Sequence, residues 1–164
     1  RPWGRPVLAG QACGLAGDVF LLNDDERSFL AGLSSFLVGH VGYIEAFRRM
    51  GLRRTPWVLP GLAALGWCMW WSRDALPNLW REGGAAAAGP VAAYMGVIGA
   101  MSLAAWSTGA PVTGTGASLF VISDTVIAVN AFVEPLDDAG LKVMVPYLLG
   151  QALIAAGALT HPAS

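Results

Sequence analysis

Residues Thr115–Phe132 read TGASLFVISDTVIAVNAF. The run is close in length and apolarity to a segment that crosses a bilayer, for which about 20 residues are needed. It carries one charged residue, Asp124, near its middle. An aspartate at the centre of a membrane helix costs about 2.5–3.5 kcal/mol on insertion scales, and its side chain is too short to reach the interface. A carboxylate kept at that depth points by default to a working site.

This run is one of six. The other apolar stretches are about Trp3–Leu22, Ser28–Phe47, Pro56–Trp71, Ala86–Trp106 and Leu141–Thr160. Pro90 falls in the first turn of its helix, where a missing N–H is tolerated. Trp67, Trp70 and Trp71 close a short helix and suit a membrane interface. The connections are polar and short, including Ser72–Gly84, so sequential helices are expected to lie antiparallel and side by side. The predicted fold is an all-α, polytopic transmembrane bundle of about six spanning helices, one domain over residues 1–164.

Composition agrees. The chain is 55% hydrophobic and 13% charged, with a mean hydropathy of +0.54. Soluble domains carry about 25% charged residues, and a chain this short cannot hide so much apolar surface in a water-soluble core. The net charge of −1 provides no basic face for nucleic acid. Four of the ten basic residues, Arg48, Arg49, Arg53 and Arg54, cluster in one connection. With Arg1 and Arg5 they place that connection and the chain start in the cytoplasm. Ala, Gly and Arg usage suggests a GC-rich bacterial gene, hence a bacterial cytoplasmic membrane. No basic–apolar–cleavage pattern opens the sequence, so no leader is expected.

Small residues stripe two helices. Gly10, Gly14, Gly17 and Asp18 share one face of the first; Ser28, Gly32, Ser35, Gly39 and Tyr43 share one face of the second. Such spacing lets backbones approach closely in lipid, within the bundle or between chains. Cys13 and Cys68 lie in apolar runs without metal or redox spacing and read as small core residues.

Asp18, Glu45 and Asp124 are the acids within the predicted spans. Glu45 adjoins the arginine cluster and is expected to pair with Arg48 or Arg49. Asp18 stands about one turn from the end of its helix. Asp18 and Asp124 are therefore the candidate catalytic pair. The polar groups at depth are His40, Tyr43, Tyr94, Ser123, Asn130, Tyr147 and Gln151, and these are the candidate substrate-binding residues. Tyr147 and Gln151, four apart, share a face. Two carboxylates in different surroundings can divide the roles of general acid and general base. A metal site is not expected: His40 and His161 are the only histidines, and no His-Glu-x-x-His occurs. Ser123 lacks a nucleophile elbow, and no cofactor motif is present.

Certain stretches resemble the YhhN family of membrane proteins, which includes the lysoplasmalogenases. They are Gly17-Asp18-Val19-Phe20-Leu21-Leu22, Phe29-Leu30-Ala31-Gly32-Leu33, Phe36-Leu37-Val38-Gly39-His40-Val41-Gly42-Tyr43, residues Gly116 to Asp124, and Tyr147-Leu148-Leu149-Gly150-Gln151. Each is short, but their order and spacing cover most of the chain. The resemblance implies about eight spanning helices of about 20 residues each, with two expected ahead of the first one here. It also implies a hydrolase acting on the vinyl ether bond of lysoplasmalogens. The products would be a fatty aldehyde and glycerophosphocholine or glycerophosphoethanolamine. The competing expectation is a lipid-binding protein or proton-coupled transporter, since intramembrane acids also mark proton paths. No repeat relates the two halves of the chain, as many transporters would show.

Overall fold

The computed structural model describes residues 1–23 and 25–162, with the side chain of Glu26 left aside. These residues form six helices: α1 Gly4–Phe20, α2 Glu26–Met50, α3 Val58–Trp71, α4 Ala75–Ser107, α5 Pro111–Phe132 and α6 Ala139–Thr160. Asp25 starts α2 by accepting from the Ser28 amide (3.0 Å) and the Ser28 hydroxyl (2.6 Å), which satisfies an otherwise orphan N–H. Pro111 begins α5 at a position where no intrahelical donor is needed.

Four helices are long and apolar enough to cross a membrane: Arg27–Met50, Ala75–Ser107, Pro111–Phe132 and Ala139–Thr160. α1 has 17 residues and α3 only 14, so the six expected helices are present, four of them long and two shorter. Leucines, valines and tryptophans such as Leu8, Leu15, Val38, Trp70, Val145 and Leu148 point outward, each at least half exposed. That outward apolar belt belongs in lipid. The chain is an integral membrane protein.

α1 packs on α2, and α5 packs on α6. α4 bridges the two pairs by touching α2 and α5; α3 rests on α4 and α5; α1 and α6 meet along one edge. One expectation fails here. α2 and α3, joined by the short arginine-rich connection, are not neighbours among the described residues. A residue-poor connection limits distance but not direction, and residues 52–55 run across the end of the bundle, where the Arg53 amide donates to Ser107 O (2.7 Å).

The connection expected at Ser72–Gly84 is mostly helical. α4 begins at Ala75 and is interrupted at Gly83 (φ −146°, ψ 15°) and Gly84 (φ 61°, ψ −147°). The second of these lies in the left-handed region that glycine alone enters without cost. Residues 75–82 therefore form a separate amphipathic segment, with Ala75 and Leu79 buried and Trp80 exposed.

The glycines explain the close contacts. A Cβ on Gly116 would lie 2.8 Å from Gly150 O, and a Cβ on Gly150 would lie 2.8 Å from Gly116 O, so α5 and α6 touch backbone to backbone. On α1 the glycine face admits side chains instead: Gly10 faces Tyr43, Gly14 faces Tyr147 and Gln151, and Gly17 faces Phe36.

Candidate functional site

Phe120, 1% exposed, occupies the centre of the bundle. Its ring meets His40 edge-on at 4.8 Å, Tyr147 at 5.1 Å and Phe36 at 6.5 Å between centroids. Edge-to-face packing of this kind fixes ring positions as well as filling space. Around this aromatic hub the polar residues divide into two groups.

The first group joins α2, α4 and α5. The Tyr94 hydroxyl donates to Asp124 Oδ2. His40 Nε2 lies 3.1 Å from the same hydroxyl and 3.5 Å from the same carboxylate oxygen. Tyr94 spends its only hydrogen on Asp124, so its oxygen accepts from His40 Nε2–H, which fixes the histidine tautomer. His40 Nδ1 is buried without a hydrogen-bond partner among the described residues. The contacts to Asp124 converge on Oδ2.

The second group joins α1, α2 and α6. The Tyr147 hydroxyl donates to Asp18 Oδ2 (2.8 Å) and accepts from Gln151 Nε2 (3.1 Å). Tyr43 donates to Gln151 Oε1, and Gln11 Nε2 reaches Gln151 O at 3.4 Å. Tyr147 and Gln151 share a face as their spacing requires. No hydrogen bond joins the two groups among the described residues; Phe36 and Phe120 stand between them.

Asp124 and Tyr94 are part of the wall of a cavity of about 580 Å³. The rest of the lining is almost wholly apolar, and Asp124 is the only charged residue in it among the described residues. The cavity runs from a mouth formed by Leu21, Phe29, Leu76 and Phe132 toward Leu65, Leu103 and Val121 in the middle of the bundle. Ala92, Gly96 and Ala100 line it and are also exposed, as is Met69 on α3, so it opens sideways between α3 and α4. Its size and lining suit an apolar ligand held in place by a few polar groups.

Asp18 is absent from that lining. The expected pair thus comes to one bundle without sharing a cavity. Phe36 lines the cavity with one side and meets Tyr147 at 5.9 Å with the other, placing Asp18 behind it. Ser123 and Asn130 stand apart from both groups. Ser123 is buried and donates to Val143 O (2.9 Å), tying α5 to α6. Asn130 is exposed, and its Oδ1 accepts from the Leu136 amide (2.9 Å), which shapes the α5–α6 connection. Glu45 pairs with Arg48 (2.7 Å) and Arg49 (2.6 Å), as its position suggested. Cys13 and Cys68 are free thiols, and Cys68 lines the cavity. Gln11, Phe36 and Phe120 were not singled out from the sequence. Two of them are aromatic residues inside the family-like stretches, where they read as ordinary packing.

A bundle of apolar helices with a phenol-bound carboxylate at the wall of an apolar cavity is the architecture of a polytopic membrane protein, with that carboxylate as the candidate site. The chain belongs to the YhhN family, which it matches over residues 1–158. It is 31% identical to lysoplasmalogenase TMEM86A of Bos taurus and 30% identical to that of Homo sapiens, each over 97% of this chain and 67% of the relative. It is 33% identical to lysoplasmalogenase TMEM86B of Sus scrofa over 92% of this chain and 62% of the relative. The chain thus spans about two thirds of the length of these relatives. No solved structure matches.

Proposed function

We propose that this chain is a lysoplasmalogenase-like hydrolase that cleaves the vinyl ether bond of a lysolipid within the membrane. Asp124 carries the reading: one carboxylate, bound by Tyr94 and His40 on one oxygen, faces a cavity otherwise fit for hydrocarbon. The names of the relatives point to the same substrate class.

In the proposed reaction the Asp124 carboxylic acid protonates the β-carbon of the vinyl ether. The double bond becomes a C–H bond and an oxocarbenium ion. Water adds to the cationic carbon and returns a proton to Asp124, which acts first as acid and then as base, as a glycosidase acid/base residue does. The hemiacetal then breaks its C–O bond to give a fatty aldehyde and the glycerophospho-alcohol. One water is consumed, and the carboxyl group ends as it began. Asp18, behind Phe36, supplies a second negative charge whose field favours the cation without touching it. Tyr94 and His40 hold Asp124; Tyr147 holds Asp18 and is itself positioned by Gln151, which Tyr43 bonds in turn. The sugar-like logic needs no nucleophilic serine. The membrane is inferred to be a bacterial cytoplasmic membrane, with the arginine-rich connection inside.

The test is aldehyde release from an octadecenyl lysoplasmalogen by purified protein, beside its saturated alkyl ether analogue and beside Asp124→Asn. Aldehyde from the vinyl ether alone, lost in the variant, is expected. Undiminished turnover in Asp124→Asn overturns the assignment.

A further inference from the structure

We infer that Arg81, on the segment ahead of the Gly83–Gly84 break, reads the phosphate of the lysolipid head group at the cavity mouth. The inference rests on the lysolipid reading above and adds a residue that determines specificity. Its basis is the position and pairing of one cation.

Asn78 Nδ2 donates to Phe132 O (2.7 Å), which fastens residues 75–82 over the end of α5. Leu76 of the same segment and Phe132 both line the cavity mouth. Arg81 donates to Asn78 Oδ1, so its guanidinium is oriented by a residue that is itself anchored to the mouth. Three other arginines are committed to nearby groups: Arg48 and Arg49 hold Glu45, and Arg73 lies 3.8 Å from Asp74 with its guanidinium 5.0 Å from the Trp70 ring. Arg81 has no carboxylate within ion-pair distance among the described residues. It is exposed and keeps further N–H donors for a ligand.

The depth fits. Asp124 lies eight residues before Phe132 on α5, or about 12 Å below the mouth at 1.5 Å per residue. A vinyl ether at Asp124 with its hydrocarbon toward Leu103 and Val121 sends its glycerol arm up to the mouth. A glycerophosphate arm from below and an arginine side chain from above close that distance between them. The guanidinium fork suits a phosphodiester, and choline or ethanolamine beyond it meets no cation. Among the described residues the lining itself holds no Lys or Arg, and Arg81 stands outside it, on the segment that Leu76 and Asn78 fasten to the mouth.

The experiment separates this inference from the hydrolase reading by using binding as well as turnover. A radiolabelled 1-alkyl lysophosphoethanolamine and the matching 1-alkylglycerol, neither cleavable, are bound to the purified full chain and to Arg81→Gln, Arg81→Lys and Arg27→Gln. The wild type is expected to prefer the phosphate-bearing lipid by about tenfold, the size of one charge-assisted hydrogen-bonded contact. Arg81→Gln is expected to erase that preference while leaving alkylglycerol binding unchanged; Arg81→Lys keeps part of it and Arg27→Gln keeps all of it. Inorganic phosphate is expected not to compete, since it lacks the tail that fills the cavity. A preference that survives Arg81→Gln, or that falls instead in Arg27→Gln, overturns the inference. Absence of aldehyde from vinyl ether substrates, with the binding preference intact, overturns the hydrolase reading and leaves Arg81 in place.

Discussion

Tyr94 on α4 and His40 on α2 converge on a single oxygen of Asp124, the phenol by donating to it and the imidazole from 3.5 Å. Thirty residues separate Tyr94 from Asp124 in sequence. Two different helices thus hold the carboxyl group by one oxygen and leave the other outside these contacts.

Removing the phenol is therefore expected to reduce turnover without emptying the cavity. Tyr94→Phe should lower kcat by roughly 10- to 100-fold, the range of a hydrogen bond to a charged group at about 1.5–3 kcal/mol, with KM little changed. Asp124→Asn should lose about 10²- to 10⁴-fold, the range of general acid–base catalysis. Aldehyde release under single-turnover conditions measures both.

The Asp18 group depends on an absence of side chain. A Cβ on Gly14 would sit 2.7 Å from Gln151 Nε2 and 2.8 Å from the Tyr147 hydroxyl. Gly14→Ala should destabilise the fold by about 1–3 kcal/mol, the usual cost of overpacking. Gly66→Ala, which meets nothing within 4 Å, should be neutral or slightly stabilising. Thermal unfolding in detergent compares them.

Gly99 and Leu65 face each other across the cavity lining, where a Cβ on Gly99 would meet Leu65 Cδ2 at 3.8 Å. Gly99→Leu should obstruct the deep end and cut kcat/KM for an octadecenyl substrate by roughly tenfold, at an overpacking cost of about 1–3 kcal/mol. A decenyl substrate should suffer less. Equal losses across a series of chain lengths would exclude the tail from this part of the cavity.

Asp25, outside the spans, titrates with consequence for α2. Hydrogen bonds from Ser28 hold its carboxyl below the usual carboxylate range. A depressed folded-state pKa stabilises the cap above the unfolded value near 3.8, and that stability is lost as pH falls through the folded value. Protection of the Ser28 amide, taken relative to the intrinsic exchange rate at each pH, should therefore fall in acid, and should be low at every pH in Asp25→Ala.

Much of the bundle is legible in the chain because lipid imposes length and apolarity on each helix. Asp124 stood out for the same reason, as a charge where none is affordable. The interruption of α4 was hidden: Ser72-Arg73-Asp74, Pro77 and Gly83-Gly84 all read as loop, although Ala75, Leu76 and Leu79 carry an apolar face at helical spacing. Asn130 read as buried because its neighbours are apolar, yet it lies within the last turn of α5 and serves the backbone beyond. That Phe36 separates Asp18 from the cavity is a matter of packing between α1, α2 and α6, and no spacing within one helix encodes it.

The sideways opening between Met69 and the Ala92–Ala100 face changes what substrate concentration means. A site filled through such a slot samples a two-dimensional phase. Its occupancy follows the mole fraction of ligand among the surrounding lipids, not the molarity in the tube. Diluting a substrate with inert lipid at constant bulk concentration would slow such an enzyme, and adding buffer to the same vesicles would not.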